Sequence, residues 1–126
     1  MDKGTILFHR NMQFKNGQYG DKLLIILNTP QENEPYLCCK TTSQQKFEIT
    51  KDGCYSDKNI FVVEKGYDWF NKTTYVQFHE LYEIEQEGLL QAHFRGNIEN
   101  KSKLRENTVN AIVDCIKKSE DVSRYH

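Results

Sequence analysis

The chain has 126 residues, a formal net charge of -1 from 17 basic and 18 acidic residues, and 37% hydrophobic residues. This length corresponds to one ordinary domain and excludes a large multi-domain enzyme, and the few glycines and prolines exclude a collagen-like fibre. A protein that coats DNA without sequence preference is normally more basic. We therefore expect one domain, residues 1–126, with a real core and a polar surface.

The first two thirds of the chain predict short β-strands separated by turns. Asn16-Gly17 is a strong turn signal and lies in the polar stretch 11–21, which predicts a hairpin loop or a mobile flap. The predicted strands are residues 5–8, 22–28, 36–42, 47–49, 60–63, 73–79 with an extension over 81–84, and 89–95. Strands this short favour a small barrel or two packed sheets.

The clearest strand alternates with a period of two. Thr74, Val76 and Phe78 share one face of it, and the residues between them, with His79, share the other. This alternation predicts a half-buried strand, with His79 as a surface histidine.

The end of the chain changes to the helical period of 3.6 residues and predicts a helix over about 102–118. Asn100 or Ser102 could cap its start, and the residues from 119 to 126 form a polar tail. The predicted apolar stripe consists of Leu104, Thr108, Ala111, Ile112, Cys115 and Ile116.

The four cysteines carry no metal-binding pattern. Cys38 and Cys39 are adjacent, so they should face opposite sides of a strand, and no spacing with Cys54, Cys115 or a histidine resembles a zinc site. No apolar run reaches the roughly 20 residues of a membrane helix, and the first residues do not resemble a secretory signal. We expect a cytoplasmic protein with reduced structural thiols, no metal and no membrane partner.

Three polar or aromatic segments could carry function. His9 and Arg10 could pair an acid or base with an anion clamp, or could be two solvated residues at a strand end. Residues 40–46 offer hydroxyls, amides and cations for phosphate and ribose, or form an ordinary polar loop. Residues 66–72 interleave three aromatics with polar residues, which could stack on bases, contact a protein or fill the core.

A cluster of cations precedes the predicted helix. Lys101, Lys103 and Arg105 either form a solvated face or contact nucleic acid or an acidic partner.

The order of five segments resembles the PemK/MazF family of bacterial toxins. The matching segments are residues 4–7, 22–28, 39–44, 72–78, and 96–98 followed by the helix. The resemblance implies an SH3-like β-barrel with a C-terminal α-helix, one PemK/MazF-like domain over 1–126, and a homodimer. It also implies a toxin of a type II toxin-antitoxin system, an endoribonuclease that cleaves single-stranded RNA without metal or cofactor and is held by a cognate antitoxin protein.

The resemblance assigns the site residues. In the family an arginine stabilises the phosphorane charge, a threonine or serine assists, and the ribose 2′-OH attacks the neighbouring phosphorus. Here Lys22 occupies the arginine position, Thr42 and Ser43 match the hydroxyl pair, and Arg10 is the nearest substitute cation. The predicted RNA-binding residues are His9, Lys15, Lys40 and Gln44.

Lysine lacks the planar fork that grips phosphate bidentately, so the sequence is compatible with an endoribonuclease and with a protein that has no enzyme activity. The alternative is a non-catalytic SH3-like barrel that binds a host or phage protein, as a degenerate toxin or an enzyme poison. A cysteine-dependent enzyme is a third hypothesis.

Overall fold

A computed structural model describes residues 1–14, 16–43, 51–66 and 68–119. Seven strands and two α-helices follow one another, and a short 3-10 helix, Ser56–Lys58, precedes the fifth strand. In chain order they are β1 Thr5–Gln13, β2 Tyr19–Ile26, β3 Tyr36–Thr42, β4 Gly53–Tyr55, β5 Ile60–Val63, β6 Thr74–Ile84, α1 Gln86–Phe94, β7 Ile98–Lys103 and α2 Glu106–Lys118.

The strands form one antiparallel sheet in the order β4-β5-β6-β3-β2-β1-β7. A mainly β fold with a C-terminal helix is therefore confirmed. The sheet of the described residues is open, with β4 and β7 at its edges, so the predicted barrel closure is not observed.

Both faces of the central strands are buried. Cys38 and Cys39 face opposite sides, as predicted, and belong to two different apolar clusters. One cluster joins the sheet to α2, and the other includes Leu89 of α1. The prediction that β6 is half-buried is wrong, because Val76 packs on the α2 side while Tyr75 is buried on the opposite face.

The hairpin between β1 and β2 is longer than predicted. Gly17 adopts a left-handed conformation at φ 86°, which confirms the Asn-Gly turn. Most of the predicted flap is strand instead, because β1 continues to Gln13 and buries Met12, and β2 begins at Tyr19. The predicted strand 81–84 continues β6 beyond an irregularity in its pairing with β3, as expected.

Residues 89–95 were predicted as a strand, and this prediction is wrong. They fall largely in α1, a segment rich in the strong helix formers glutamate, leucine, glutamine and alanine. Gly96, at φ 78°, ends the helix with a Schellman motif, in which its N–H bonds to His93 O and Asn97 N–H bonds to Ala92 O.

The predicted start of the last helix is also wrong. Asn100 and Ser102 lie in β7, a polar edge strand that pairs with β1, and α2 begins at Glu106. Instead of a local cap, the carboxylate of Asp68 accepts hydrogen bonds from Arg105 N (2.9 Å) and Thr108 Oγ1 (2.8 Å). A side chain from a distant loop thus accepts the hydrogen bond of a backbone N–H group at the start of α2.

The predicted apolar stripe on α2 is largely confirmed. Thr108, Ile112, Cys115 and Ile116 are buried in the helix, and Leu104 is buried just before it. Ala111 is exposed, and Val109 takes its place against the core.

Cys54 of β4 and Cys115 of α2 form a disulfide, which contradicts the prediction that all four cysteines are reduced thiols. The bond spans 61 residues, and the chain-entropy relation gives a loop of that size about 4 kcal/mol of stabilisation. Cys38 and Cys39 are free and buried. Burial raises the pKa of the Cys38 thiol to about 12 and also raises the pKa of the Cys39 thiol.

Some predictions lie outside the described residues: Lys15, Gln44, the strand 47–49 and residues 120–126 of the tail. Within the described part of the chain, neither helix has the length and apolar character needed to cross a membrane.

We expect Asp68→Ala to lower the free energy of unfolding by about 2 kcal/mol, because it removes a buried cap and places alanine at a left-handed φ of 55°. Asp68→Asn, which tolerates that conformation, should lose less. Asp57→Ala, an exposed control, should stay within about 0.5 kcal/mol. Urea denaturation measures all three, and equal losses for Asp68→Ala and Asp57→Ala would contradict the cap.

Thiol labelling tests the cysteine assignments. Because the thiolate is the reactive form, native protein kept away from reductant should take up no iodoacetamide at neutral pH. Denatured unreduced protein should take up two labels, on Cys38 and Cys39, and denatured reduced protein four. Mass spectrometry counts the labels, and four labels on denatured, unreduced protein would contradict the disulfide.

Candidate functional site

A groove of about 560 Å³ opens beside the middle of β2, the end of β3 and the start of β6. It brings together three residues predicted as catalytic: Lys22, Thr42 and Ser43. The other described residues that line it are Asp21, Leu23, Thr41, Trp69, Phe70, Asn71, Lys72 and Thr74. The groove therefore combines cations, hydroxyls, an amide and an indole.

Strand pairing places His9 on the same face of the sheet as Lys22, although His9 does not itself line the groove. His9 of β1 lies directly opposite Lys22 of β2, and directly opposed residues share a face of the sheet. Leu24 lies opposite Lys40, so by alternation Lys40 and Thr42 project from that same face. Two cations, a hydroxyl and an imidazole thus lie on one side of three adjacent strands.

The hydrogen bond of His9 determines which of its ring nitrogens carries hydrogen. Its Nδ1 lies 2.9 Å from the carbonyl oxygen of Arg10, and a carbonyl can only accept a hydrogen bond. Nδ1 therefore carries hydrogen, and Nε2 is the atom of the neutral ring that can take up a proton.

Arg10 does not line the groove. Its guanidinium pairs with Glu99 (3.2 Å), donates to Gly96 O (3.4 Å) and lies over the Phe8 ring. Arg10 and Lys101 also lower the pKa of the Glu99 carboxyl, chiefly through the hydrogen bond from Lys101. The structure thus separates the cations predicted as catalytic, with Lys22 in the groove and Arg10 on the β7 side.

Arg10 also lies at a β-bulge in β1. The register between β1 and β2 shifts between His9 and Met12, and Asn11 adopts a left-handed φ of 53°. Asn11 N donates to the carboxylate of Asp21 at 2.9 Å, which stabilises the bulge next to the groove. A bulge adds a residue to one strand and redirects the side chains beyond it, and bulges are common next to functional sites.

One wall of the groove is the loop between β5 and β6. Phe70 of this loop is buried, whereas Trp69 is 43% exposed. Of the three aromatics in segment 66–72, Phe70 therefore fills the core and Trp69 faces solvent, while Tyr67 lies outside the described residues.

The cations before α2 each have a carboxylate partner. Lys101 pairs with Glu99 (2.8 Å), Lys103 with Asp2 (3.6 Å) and Arg105 with Asp68 (3.5 Å). His79, predicted as a surface histidine, is exposed and pairs with Glu80. In the described part of the chain, no group of three or more histidine, cysteine, aspartate or glutamate residues is arranged to hold a metal ion.

Segment 66–72, singled out in the sequence, contains Asn71 and Lys72, but neither of these residues nor Asp21 was predicted as a site residue. The only available signal was that Asn71 and Lys72 follow the aromatic residues and precede a clear strand. The loop conformation that turns them toward β2 and β3 is not encoded in a local pattern.

Comparisons with protein-family models, with curated proteins and with solved structures found no match to this chain. The candidate site therefore rests on the chemistry of its own residues and on the resemblance described above.

Proposed function

We propose that the chain is a toxin-like endoribonuclease that binds single-stranded RNA in the groove and cleaves it without a metal. The observation that carries the proposal is the meeting of Lys22, Thr42 and Ser43 in one groove. The SH3-like barrel architecture, the homodimer, the cognate antitoxin and the cytoplasmic location implied by the PemK/MazF resemblance belong to this proposal.

The proposed reaction is transesterification at phosphorus. His9 Nε2 takes the proton of the ribose 2′-OH, and the 2′ oxygen forms a bond to the adjacent phosphorus. The bond from phosphorus to the 5′ oxygen breaks, and a water molecule relays the proton from the His9 imidazolium to that leaving oxygen, which restores the neutral ring. A 2′,3′-cyclic phosphate and a 5′-hydroxyl result, so atoms and charges balance.

The groove supports the charge that this reaction develops. The ammonium group of Lys22 stabilises the additional negative charge on the phosphorane, and the Thr42 hydroxyl donates to a non-bridging oxygen. Lys22 acts as a point charge, since lysine lacks the bidentate geometry of arginine. Ser43, exposed at the end of β3, supplies a second hydroxyl near the same phosphate.

We expect Lys22→Ala and Thr42→Ala each to reduce the rate of RNA cleavage by about 100-fold, because each removes a group that stabilises the transition state. Lys117→Ala, an exposed control on α2, should cleave normally. The assay uses purified protein, labelled single-stranded RNA and a chelator. RNA with 2′-deoxyribose at the cleavage site should remain intact.

Mapping of RNA 5′ ends after induced expression extends this test to the cell. New ends at one recurring short motif, missing in cells that express Thr42→Ala, would support the proposal. Cleavage at the normal rate by both groove variants would disprove the site assignment, and cleavage of the deoxy-substituted strand would disprove the mechanism.

The second candidate is a non-catalytic domain that binds a host or phage protein. The observation that favours it is that the described groove residues include no arginine, while Arg10 is held by Glu99. Growth arrest without new RNA ends, together with specific recovery of one host protein by wild-type chain, would favour this candidate.

A further inference from the structure

The two residues that flank the exposed Trp69 are anchored to the rest of the fold. Asp68 is fixed to the start of α2 through hydrogen bonds to Arg105 N and Thr108 Oγ1, and its side chain is only 2% exposed. Phe70 is buried in the core. The backbone bond from Gly66 N to Phe70 O, at 2.9 Å, closes the loop.

The orientation of Trp69 follows from these anchors. With Asp68 directed to α2 and Phe70 to the core, the residue between them lies at the surface of the groove. The Trp69 and Phe70 rings meet edge to face, with 5.7 Å between their centroids. An aromatic ring held this way loses little conformational entropy when a planar ligand stacks on it.

The surroundings of Trp69 supply the second part of a nucleotide site. Lys22 and Lys72 line the same groove, where Asp21 offsets one of the two positive charges. Lysine is a common ligand of phosphate, and an exposed aromatic ring offers a stacking surface to any base. The groove thus has both elements that proteins use to bind single-stranded nucleic acid.

We propose that Trp69 stacks on an unpaired nucleobase next to the phosphate held by Lys22 and Lys72, and thereby selects single-stranded RNA over duplex RNA. A base inside a duplex already stacks on its neighbours and cannot lie on the indole without being extruded. This inference deepens the proposed function and rests on it for the identity of RNA as the strand, whereas the stacking itself requires no cleavage.

The chain offers a direct probe, because Trp69 is its only tryptophan. We expect a single-stranded 2′-deoxy oligonucleotide, which lacks the attacking hydroxyl, to quench the tryptophan fluorescence in a saturable manner. The same strand with abasic sites at every position tests charge alone and should cause little quenching. A duplex of the same sequence should bind more weakly than the single strand.

Variants separate stacking from folding. By anisotropy of a labelled oligonucleotide, Trp69→Ala should bind about 10-fold more weakly, while Trp69→Phe should stay within about threefold of wild type because it keeps an aromatic ring. Phe94→Ala, which removes another exposed aromatic on α1, is the matched control and should bind normally. Urea denaturation of each variant verifies the fold.

The outcomes distinguish this inference from the proposed ribonuclease. Quenching and weaker binding by Trp69→Ala, without any RNA cleavage, would uphold stacking and reject the nuclease. RNA cleavage by Trp69→Ala with an unchanged KM would uphold the nuclease and overturn stacking. Unchanged fluorescence at saturating oligonucleotide, or equal quenching by the abasic strand, would also overturn it.

Discussion

The buried carboxylate of Asp68 connects the helix to the groove. It accepts hydrogen bonds from the backbone N–H of Arg105 and from the Thr108 hydroxyl, and it lies at the N-terminal end of α2, where a negative charge is favourable. Since α2 covers one face of the sheet, this contact supports the larger apolar cluster. The same residue immediately precedes Trp69, so the contact also fixes one wall of the groove. Core stability and groove shape therefore depend on a shared side chain.

The opposite wall depends on strand register. A slip of one residue would move Lys22 to the other face of the sheet and separate it from His9 and Thr42. Two side-chain contacts hold the register on either side of β2: Asp21 accepts from Asn11 N, and Thr41 Oγ1 donates to Leu23 O at 2.9 Å. Both contacts lie next to Lys22 in the sequence. These contacts therefore fix the backbone position of Lys22 between the two neighbouring strands.

The sequence predicts elements whose signal is local and misses those that depend on distant partners. Strand β3, strand β5 and the face alternation of β6 were predicted from residue pattern, and so was the end of α2. Strand β7 was missed because its polar residues carry no alternation and the strand is defined by pairing with β1. The helix cap was misplaced because it comes from Asp68, 37 residues before Arg105. Lys22, Thr42 and Ser43 came from a family resemblance, and the structure brings them into one groove. The sequence could not distinguish which aromatic residue of segment 66–72 is exposed, because that depends on Phe70 packing in the core.

The disulfide and the groove are built from different elements of the fold. A bond worth about 4 kcal/mol is a large part of the 5–15 kcal/mol that ordinarily stabilises a domain, and such bonds persist in oxidising compartments. The disulfide joins the edge strand β4 to α2, whereas the groove is built from β2, β3 and the loop before β6. Reduction would therefore remove the covalent link between β4 and α2, and it would break no bond within β1, β2 or β3. The disulfide and the groove are nevertheless connected through α2, because the start of this helix binds Asp68, the residue before Trp69.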